Sequence, residues 1–469
     1  MISSFSAPFA RRRGAVRLAA AALVSGLAVV GVVATAGTAV ADGATPSEGG
    51  ATATIGGLET FGAAVIHEES GDLEVSAGLF EMSVEGGGTL QTYGVDLRNP
   101  TQKDAKYHET PWSGTSLGAD QDAGRVRWIL QNSYPQVNDL ASLASRAGIA
   151  GALTEQDAAA GTQVAIWRHS DGADVDAVDP QAEQLADYLQ KAARDTAEPE
   201  ASLTLDPPAV SGRPGEPLGP VTVRTDAGTV TVTPPMDAAT SGVRIVDKDG
   251  VAVTTAKNGT QLFFDVPDDA GAGTAELTVR ASTTIPVGRA FTSESRSQTQ
   301  ILAGSSESTV SAAASAAWAT QGAVPALSAA KNCAGHGVDI TTANQGDEAF
   351  VFELMGAEYT IAAGASQTVT VPLEEDQAYD FTIAGPQGGQ YRFTGVLDCR
   401  TRAAETGDLT TQTLSEPSPA TVGGAAGTNL AETGSSSATP VIAGVAIALV
   451  VIGGAALVLV GRKEHAGRD

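Results

Sequence analysis

The sequence has few of the residues on which metal and redox sites depend. Its 469 residues include two cysteines and five histidines, and the histidines are scattered without the spacing of metal ligands. Basic residues are also scarce, 28 against 54 acidic ones, which gives a formal net charge of −26. A surface of this sign repels nucleic acid and anionic lipid. We therefore expect no resident metal, no cofactor and no nucleic-acid partner.

The sequence also lacks the motifs of familiar enzyme classes. It shows no Ser-His-Asp pattern and no phosphate-binding motif. One acidic loop, containing Asp171, Asp174, Asp176 and Asp179, could hold calcium, but its spacing is not that of an EF-hand, and a solvated loop is the simpler interpretation. We therefore expect that the protein is not an enzyme.

Two long apolar runs lie at the two ends of the chain. The first, from about Leu18 to Thr35, follows four arginines and precedes Ala39-Val40-Ala41, which predicts a signal peptide over 1–41 and secretion. The second, Val441–Val460, is long enough to cross a bilayer as a helix, and the basic tail at 461–469 fits a cytoplasmic end. Without the +4 of the leader and the +1 after Gly434, the displayed part carries −31.

A pentapeptide precedes the second apolar run: Leu430, Ala431, Glu432, Thr433 and Gly434. With its Ser-rich spacer, apolar run and basic tail, it resembles the sorting signal of Gram-positive wall proteins, in the Leu-Ala-x-Thr-Gly form typical of actinobacteria. The resemblance implies that a class E-type sortase cuts after Thr433 and joins the protein to a peptidoglycan precursor, which anchors it to the cell wall. The alternative is a plain membrane anchor. Either way, the preceding chain is expected outside the cell.

The composition between these ends changes twice. Residues 51–197 have mixed α and β patterns, with a hairpin around 85–88 and helices opened by caps such as Thr154. Short strand-like runs separated by turns then predict two all-β immunoglobulin-like sandwiches, over 200–302 and 305–400. Residues 401–429 lack periodicity, which predicts a disordered stalk. The predicted fold class is thus a multidomain protein: an α+β domain, two β-sandwiches, a stalk and a transmembrane helix.

Cys333 and Cys399 bracket the strands of the last predicted sandwich. Because paired cysteines are the default in an oxidising compartment, we predict one disulfide between them. Lys–Asn isopeptide cross-links also occur in surface proteins of this kind, but the sequence does not show which groups meet. The available residues are Lys248, Lys257, Asn258, Lys331 and Asn332.

The sharpest internal motif is Thr162-Gln163-Val164-Ala165-Ile166-Trp167, in which a glutamine lies within an apolar helical stripe. Together with the segments 107–112 and 128–135, it resembles the thioester domains of Gram-positive surface adhesins, over roughly Leu79–Ala193. The resemblance implies an internal bond, in which a strand cysteine attacks the carboxamide of the helix glutamine and ammonia leaves. Gln163 matches the glutamine position. The stored electrophile would capture an amine or hydroxyl covalently.

The sequence departs from that family where the cysteine should stand. It has Tyr93-Gly94-Val95-Asp96, so glycine occupies the position of the nucleophile. We therefore expect no thioester and interpret Gly94 and Gln163 as the remnant of such a site, with Gln163 now a hydrogen-bonded core residue. Tyr93, Lys106 and His108 are near in sequence, but none readily replaces a thiolate at neutral pH. Three tryptophans are expected in the core: Trp112, Trp128 and Trp167.

Three hypotheses for function follow from these patterns. The first is an adhesin-like wall protein whose degenerate thioester domain binds a host, matrix or neighbouring-cell surface ligand non-covalently. The second is a structural component of the cell surface without a specific ligand. The third and weakest is a surface enzyme.

Overall fold

A closed barrel, built from two distant parts of the chain, is the centre of the fold. The computed structural model describes residues 49–118, 122–295, 297–375 and 377–399. The predicted signal peptide, stalk, sorting motif, transmembrane segment and basic tail lie outside these residues. No helix among the described residues is long and apolar enough to span a membrane.

The first part of the chain forms five strands and four helices. In chain order they are β1 Thr52–Glu68, β2 Gly71–Val84, β3 Thr89–Gly94, β4 Lys106–Thr110, α1 Ala123–Asn132, α2 Leu140–Ala147, α3 Glu155–Ser170, β5 Val175–Ala177 and α4 Pro180–Ala192. The predicted hairpin is confirmed, since β2 pairs antiparallel with β3. The long strand β1 was missed by the sequence analysis.

The next part is almost entirely β. Its elements are β6 Leu203–Asp206, β7 Ala209–Gly212, β8 Pro217–Thr225, β9 Val230–Thr233, α5 Ala238–Ser241, β10 Arg244–Val246, β11 Thr255–Ala256, β12 Gln261–Asp265, β13 Gly273–Thr284, β14 Ala290–Ser293, β15 Gln300–Ser305 and β16 Glu307–Trp318. A four-stranded sheet, β10-β12-β8-β6, and a five-stranded sheet, β11-β9-β13-β16-β7, share one apolar core. We call these nine strands the sandwich unit.

The last part forms three small sheets, which we call the C-terminal unit. Its strands are β17 Pro325–Asn332, β18 Gly337–Asn344, β19 Phe350–Leu354, β20 Ala357–Ile361, β21 Ser366–Pro372, β22 Gln377–Ala384 and β23 Gln390–Leu397. The sheets are β17-β18-β21, β19-β20 and β22-β23. The predicted disulfide is present: Cys333 and Cys399 are bonded, with Cα atoms 5.2 Å apart. The immunoglobulin-like assignment stays a prediction.

The barrel takes strands from both the first and the second part of the chain. The strand order is β2-β3-β15-β14-β4-β1, and the circle closes because β1 also pairs with β2. After β13 of the sandwich unit, the chain enters the barrel and completes it with β14 and β15. It then returns to the sandwich unit as β16. The predicted domain boundary at 302–305 falls within β15, a strand of the barrel. The units of the fold are set by strand pairing between distant segments and not by order along the chain. We call β1–β5, α1–α4, β14 and β15 the barrel unit.

Beyond the barrel, β1 and β2 continue as one long hairpin that carries the helices. Register shifts between Ile55 and Thr60 mark the place where β1 bends out of the barrel. The short strand β5 pairs with the far end of β1, and α3 packs on both β1 and β2. A Cβ at Gly161 would meet the backbone oxygen of Ala182 at 2.4 Å, so glycine permits the close approach of α3 and α4.

Candidate functional site

The candidate site lies where the end of β3 meets the middle of α3. The predicted capping box of α3 is confirmed: Thr154 accepts from the Asp157 N–H, and Asp157 accepts from the Thr154 N–H. This helix is buried through Ala158–Trp167, because the sheet lies on one side and α1 and α4 on others. Gln163, on this buried stretch, is 1% exposed.

The carboxamide of Gln163 is bound to the backbone of Gly94 through both of its polar atoms. The Gly94 N–H donates to Gln163 Oε1 at 3.0 Å, and Gln163 Nε2 donates to the Gly94 oxygen at 2.8 Å. These two bonds satisfy a buried amide that would otherwise be costly to bury. They also place the carboxamide carbon beside the Cα of Gly94.

Gln163 takes the place of a missing strand at the edge of β3. The pairing of β2 with β3 ends at Thr92, opposite Phe80, and β2 then continues along β1 alone. On its other edge, β3 stays paired with β15 up to Gly94, opposite Gln300. A side-chain amide presents the same donor and acceptor as a peptide group. Gln163, although it belongs to α3, therefore continues the hydrogen bonding along this edge of β3 as far as Gly94.

The side-chain face of Gly94 is filled by another glutamine, Gln298. A Cβ built on Gly94 would meet Gln298 Oε1 at 2.2 Å, Cδ at 2.5 Å and Nε2 at 2.7 Å. Gly94 does not have the left-handed φ that favours glycine, so its backbone conformation is open to other residues. The space left by Gln298, and not backbone strain, therefore limits which side chain fits at position 94.

Gln298 itself is fully buried and well bonded. Its Nε2 donates to the oxygen of Asp96 at 2.8 Å, and its Oε1 accepts from Thr101 Oγ1 at 3.0 Å. The Nε2 of Gln300 lies 3.4 Å from the same Oε1 and can also donate to it. Gln298 could not be predicted as part of the site, because it lies about two hundred residues from Gly94 in the chain. The polar run 297–300, entering a buried strand, was the only local signal of an unusual site.

A buried carboxylic acid lies two residues beyond Gly94. Asp96 is 2% exposed, and its Oδ1 accepts from Ser116 Oγ at 2.9 Å. Burial, and secondarily the nearby Asp171, raises the pKa of Asp96 to about 7. Burial also raises the pKa of Tyr107, whose hydroxyl donates to the Gln298 oxygen at 2.8 Å. The surroundings of Gly94 are therefore polar but largely closed to water.

The residues considered as substitute nucleophiles are engaged elsewhere. The Tyr93 hydroxyl donates to the Tyr134 oxygen at 2.9 Å, and burial raises its pKa far above neutral. Lys106 forms an exposed ion pair with Glu85, at 2.9 Å. The Nδ1 of His108 lies 3.1 Å from Thr52 Oγ1. Both cysteines of the sequence are in the disulfide. The chain therefore offers no free thiol to the Gln163 carboxamide.

Three of the four acidic side chains in the loop after α3 have structural partners, and the fourth, Asp174, is exposed. Asp171 accepts from the Leu97 N–H at 3.0 Å, Asp176 pairs with Arg168 at 2.8 Å, and Asp179 caps α4. No group of side chains that could hold a metal ion occurs within the described residues. The loop thus contributes to the fold of the barrel unit through caps and ion pairs.

Two of the three tryptophans are fully in the core, and the third is partly buried. Trp112 donates from Nε1 to the Gly288 oxygen at 2.8 Å, which ties it to the chain just before β14. Trp128 packs against the same core from a half-buried position. Trp167 is 2% exposed, and its Nε1 has no hydrogen-bond partner in the described part of the chain.

Three of the five residues considered for isopeptide links contact other groups. Lys248 pairs with the neighbouring Asp249 at 2.7 Å. Asn258 accepts from the Thr225 N–H, and Asn332 donates to Asp339. These contacts are ordinary hydrogen bonds and ion pairs.

Two family models match parts of the chain. Residues 91–195 match the thioester domain, a range that includes Gly94 and Gln163. Residues 310–396 match the C-terminal domain of bacterial phospholipase C, a range that covers β17–β22 and most of β16 and β23. The second match concerns a C-terminal domain and assigns no activity to this chain. No relative was found among curated proteins.

Three solved structures match the chain at low sequence identity and low TM-score. The Bacillus anthracis TIE protein is 17% identical, over 74% of this chain and 75% of that chain, with a TM-score of 0.27. The thioester domain of the Enterococcus faecium TIE86 protein is 18% identical, over 59% and 99%, also at 0.27. The E. coli chaperone DraB is 13% identical, over 41% and 97%, at 0.16. The TM-scores of these structures are too low to support an argument. The site region is therefore assigned by its family-model match alone, which is to the thioester domain.

Proposed function

We propose that the chain is a cell-surface protein of the adhesin type, whose thioester-like domain holds its ligand reversibly. One observation carries the proposal: the Gln163 carboxamide is bound to the backbone of Gly94, and the chain has no free thiol to attack it. Without a thiolate, no Cys–Gln bond can form, so no electrophile is stored. Binding through this domain is then limited to non-covalent contacts.

Surface display is supported by the sequence at both ends. A signal peptide directs secretion, and a class E-type sortase joins Thr433 to a peptidoglycan precursor, so that the described units are held outside the wall. Replacing Thr433 with Ala tests this step. Release of the protein from the wall fraction is expected, whereas unchanged wall attachment would contradict the sorting signal and favour a plain membrane anchor.

The ligand is proposed to be a component of a host, matrix or neighbouring-cell surface. A single non-covalent face of this size would give micromolar to millimolar affinity, about −8 to −4 kcal/mol. Many copies on one wall would raise the effective affinity through avidity. Attachment of whole cells can therefore be firm even though each contact is reversible.

We propose that the binding face lies on the loop at 95–105, which follows β3 directly after Gly94. Gly94 and Gln163 are themselves buried, so a ligand cannot reach them in this state. The loop after β3 is exposed at Arg98, Gln102 and Lys103, and it is tied to Gln298 through Thr101. The loop carries two cations on a strongly acidic chain: Lys103, and Arg98, which also pairs with Glu68 at 3.6 Å. We propose that they favour a ligand with acidic groups.

The test uses the whole chain, because the barrel needs strands from residues 290–305 and a fragment covering only 51–197 would lack them. Purified protein is bound to candidate surfaces and then washed in hot denaturing detergent. We expect complete release. Arg98→Ala with Lys103→Ala should weaken binding, whereas Lys248→Ala with Lys257→Ala, on the sandwich unit, should not.

Two results would contradict the proposal. Protein that stays bound after boiling would show a covalent route. Binding that persists in the loop variant but is lost in the sandwich variant would place the ligand elsewhere. If no surface binds at all, the hypothesis of a structural component without a specific ligand replaces this one.

A further inference from the structure

Two buried glutamine side chains enclose Gly94 from different directions. Gln163 lies beside it in the plane of the sheet, and Gln298 covers the face from which a side chain at position 94 would project. We propose that Gln298 is a plug: its carboxamide occupies the space of the absent side chain and closes a latent acyl-transfer site around Gln163. This inference rests on the proposed function, in which the site stores no electrophile.

The contacts of Gln298 are those of a space-filling residue with its own hydrogen bonds. The three closest atoms to a Cβ at position 94 all belong to its carboxamide, at 2.2–2.7 Å. At such distances one of the two groups must move. The carboxamide is held by the Asp96 oxygen and Thr101 Oγ1, at 2.8 and 3.0 Å, and it is fully buried. Moving it would leave polar groups of the barrel without partners.

The arrangement has a direct consequence for chemistry at this site. If position 94 carried a thiol, its thiolate could attack Gln163 Cδ. The C–N bond would break, ammonia would leave with the thiol proton, and a C–S bond would form. With Gln298 in place, the new side chain instead meets the plug. We therefore infer that Gly94→Cys alone does not form the bond, and that Gly94→Cys with Gln298→Ala does.

A double-mutant cycle tests the steric part without any thiol chemistry. Gly94→Ala should lower the thermal midpoint of the wild-type protein and should lower it much less in the Gln298→Ala background. Gln300→Ala is the matched control, because Gln300 is equally buried in the neighbouring position but does not supply the atoms that the Cβ meets. Additive effects of the Gly94 and Gln298 changes would overturn the proposal. Compensation by Gln300→Ala to the same extent would overturn it too.

The mass of the intact protein tests the chemical part. We expect loss of one ammonia, and a methylamine adduct at Gln163, only in Gly94→Cys/Gln298→Ala, and not when Gln163→Ala is added. Gln298→Ser serves in the same role if the alanine variant does not fold. Equal ammonia loss in Gly94→Cys alone would show that Gln298 is no barrier. No ammonia loss in a folded double variant would show that Gln298 does not close the site. Neither result affects the reversible binding of the wild type, which is tested separately by the wild-type mass, the detergent wash and the loop variant.

Discussion

The barrel unit and the C-terminal unit are each stabilised internally by a different kind of contact. Barrel strands come from 52–110 and from 290–305, and buried polar contacts join these distant parts. The C-terminal unit consists of β-strands from one continuous stretch, including the hairpins β19–β20 and β22–β23, and has a disulfide. The difference shows that one chain can rely on a covalent link in one unit and on buried hydrogen bonds and ion pairs in another.

One of these polar contacts is a buried ion pair between Arg289 and Glu109. Arg289, just before β14, donates from Nε to Glu109 of β4 at 2.9 Å and pairs with Glu198 at 2.8 Å. Glu109 also accepts from the Ala51 and Ser202 N–H groups, so it joins the barrel to the start of the sandwich unit. Both partners of the central pair are nearly inaccessible, with exposures of 4% and 1%.

Breaking this pair should have the largest effect on stability. Arg289→Met leaves Glu109 charged and buried without its cation, which should cost about 3–5 kcal/mol. Urea unfolding followed by tryptophan fluorescence is a suitable measurement, because all four tryptophans precede the C-terminal unit. Arg244→Met, which breaks an exposed pair with Asp265, is the control and should cost about 0–1 kcal/mol. Equal effects in the two variants would contradict the account.

Removing the disulfide should act mainly on the other unit. The bond closes a loop of 66 residues, so Cys333→Ala with Cys399→Ala should destabilise the C-terminal unit by about 4 kcal/mol. Near-ultraviolet circular dichroism includes the three tyrosines of this unit together with the aromatic residues of the other units, whereas tryptophan fluorescence follows the other units alone. The dichroism should therefore gain an additional transition at lower urea, and the tryptophan transition should move much less. A matching shift of both transitions would mean that the two units unfold as one.

A smaller effect is expected from the buried acid beside Gly94. The pKa of Asp96 is raised to about 7 in the folded state from an ordinary value of 3.8, so the folded state binds more protons between these values. Its contribution is fully present below the unfolded pKa and is lost as the pH rises towards 7, with a slope of at most about 1.4 kcal/mol per pH unit. Asp96→Asn should remove this slope. An unchanged pH profile in that variant would mean that Asp96 is ionised throughout.

Local features of the barrel unit could be predicted from the sequence, whereas its assembly could not. The capping box at Thr154 and the hairpin at 85–88 depend on neighbouring residues, and both are present. The disulfide was predictable because only one pairing exists. The return of 290–305 into the barrel depends on pairing across about two hundred residues, which periodicity does not encode.

The candidate site divides in the same way. Gln163 stood out as a polar residue on an apolar helix face, and Gly94 stood out by its departure from a family pattern. Their direct hydrogen bonding, and the presence of Gln298 above Gly94, depend on where α3 and β15 lie in space. Neither position follows from the residues beside them in the chain.

The central claim is that the Gln163 carboxamide is intact in this protein. The most direct test is the mass of the mature wild-type chain, with the peptide containing Gln163 measured before and after exposure to methylamine. The account predicts a mass reduced only by the two hydrogens of the disulfide, and no adduct at Gln163. Loss of one ammonia at Gln163 and its replacement by methylamine would contradict it, since both require a reactive acyl bond at this residue.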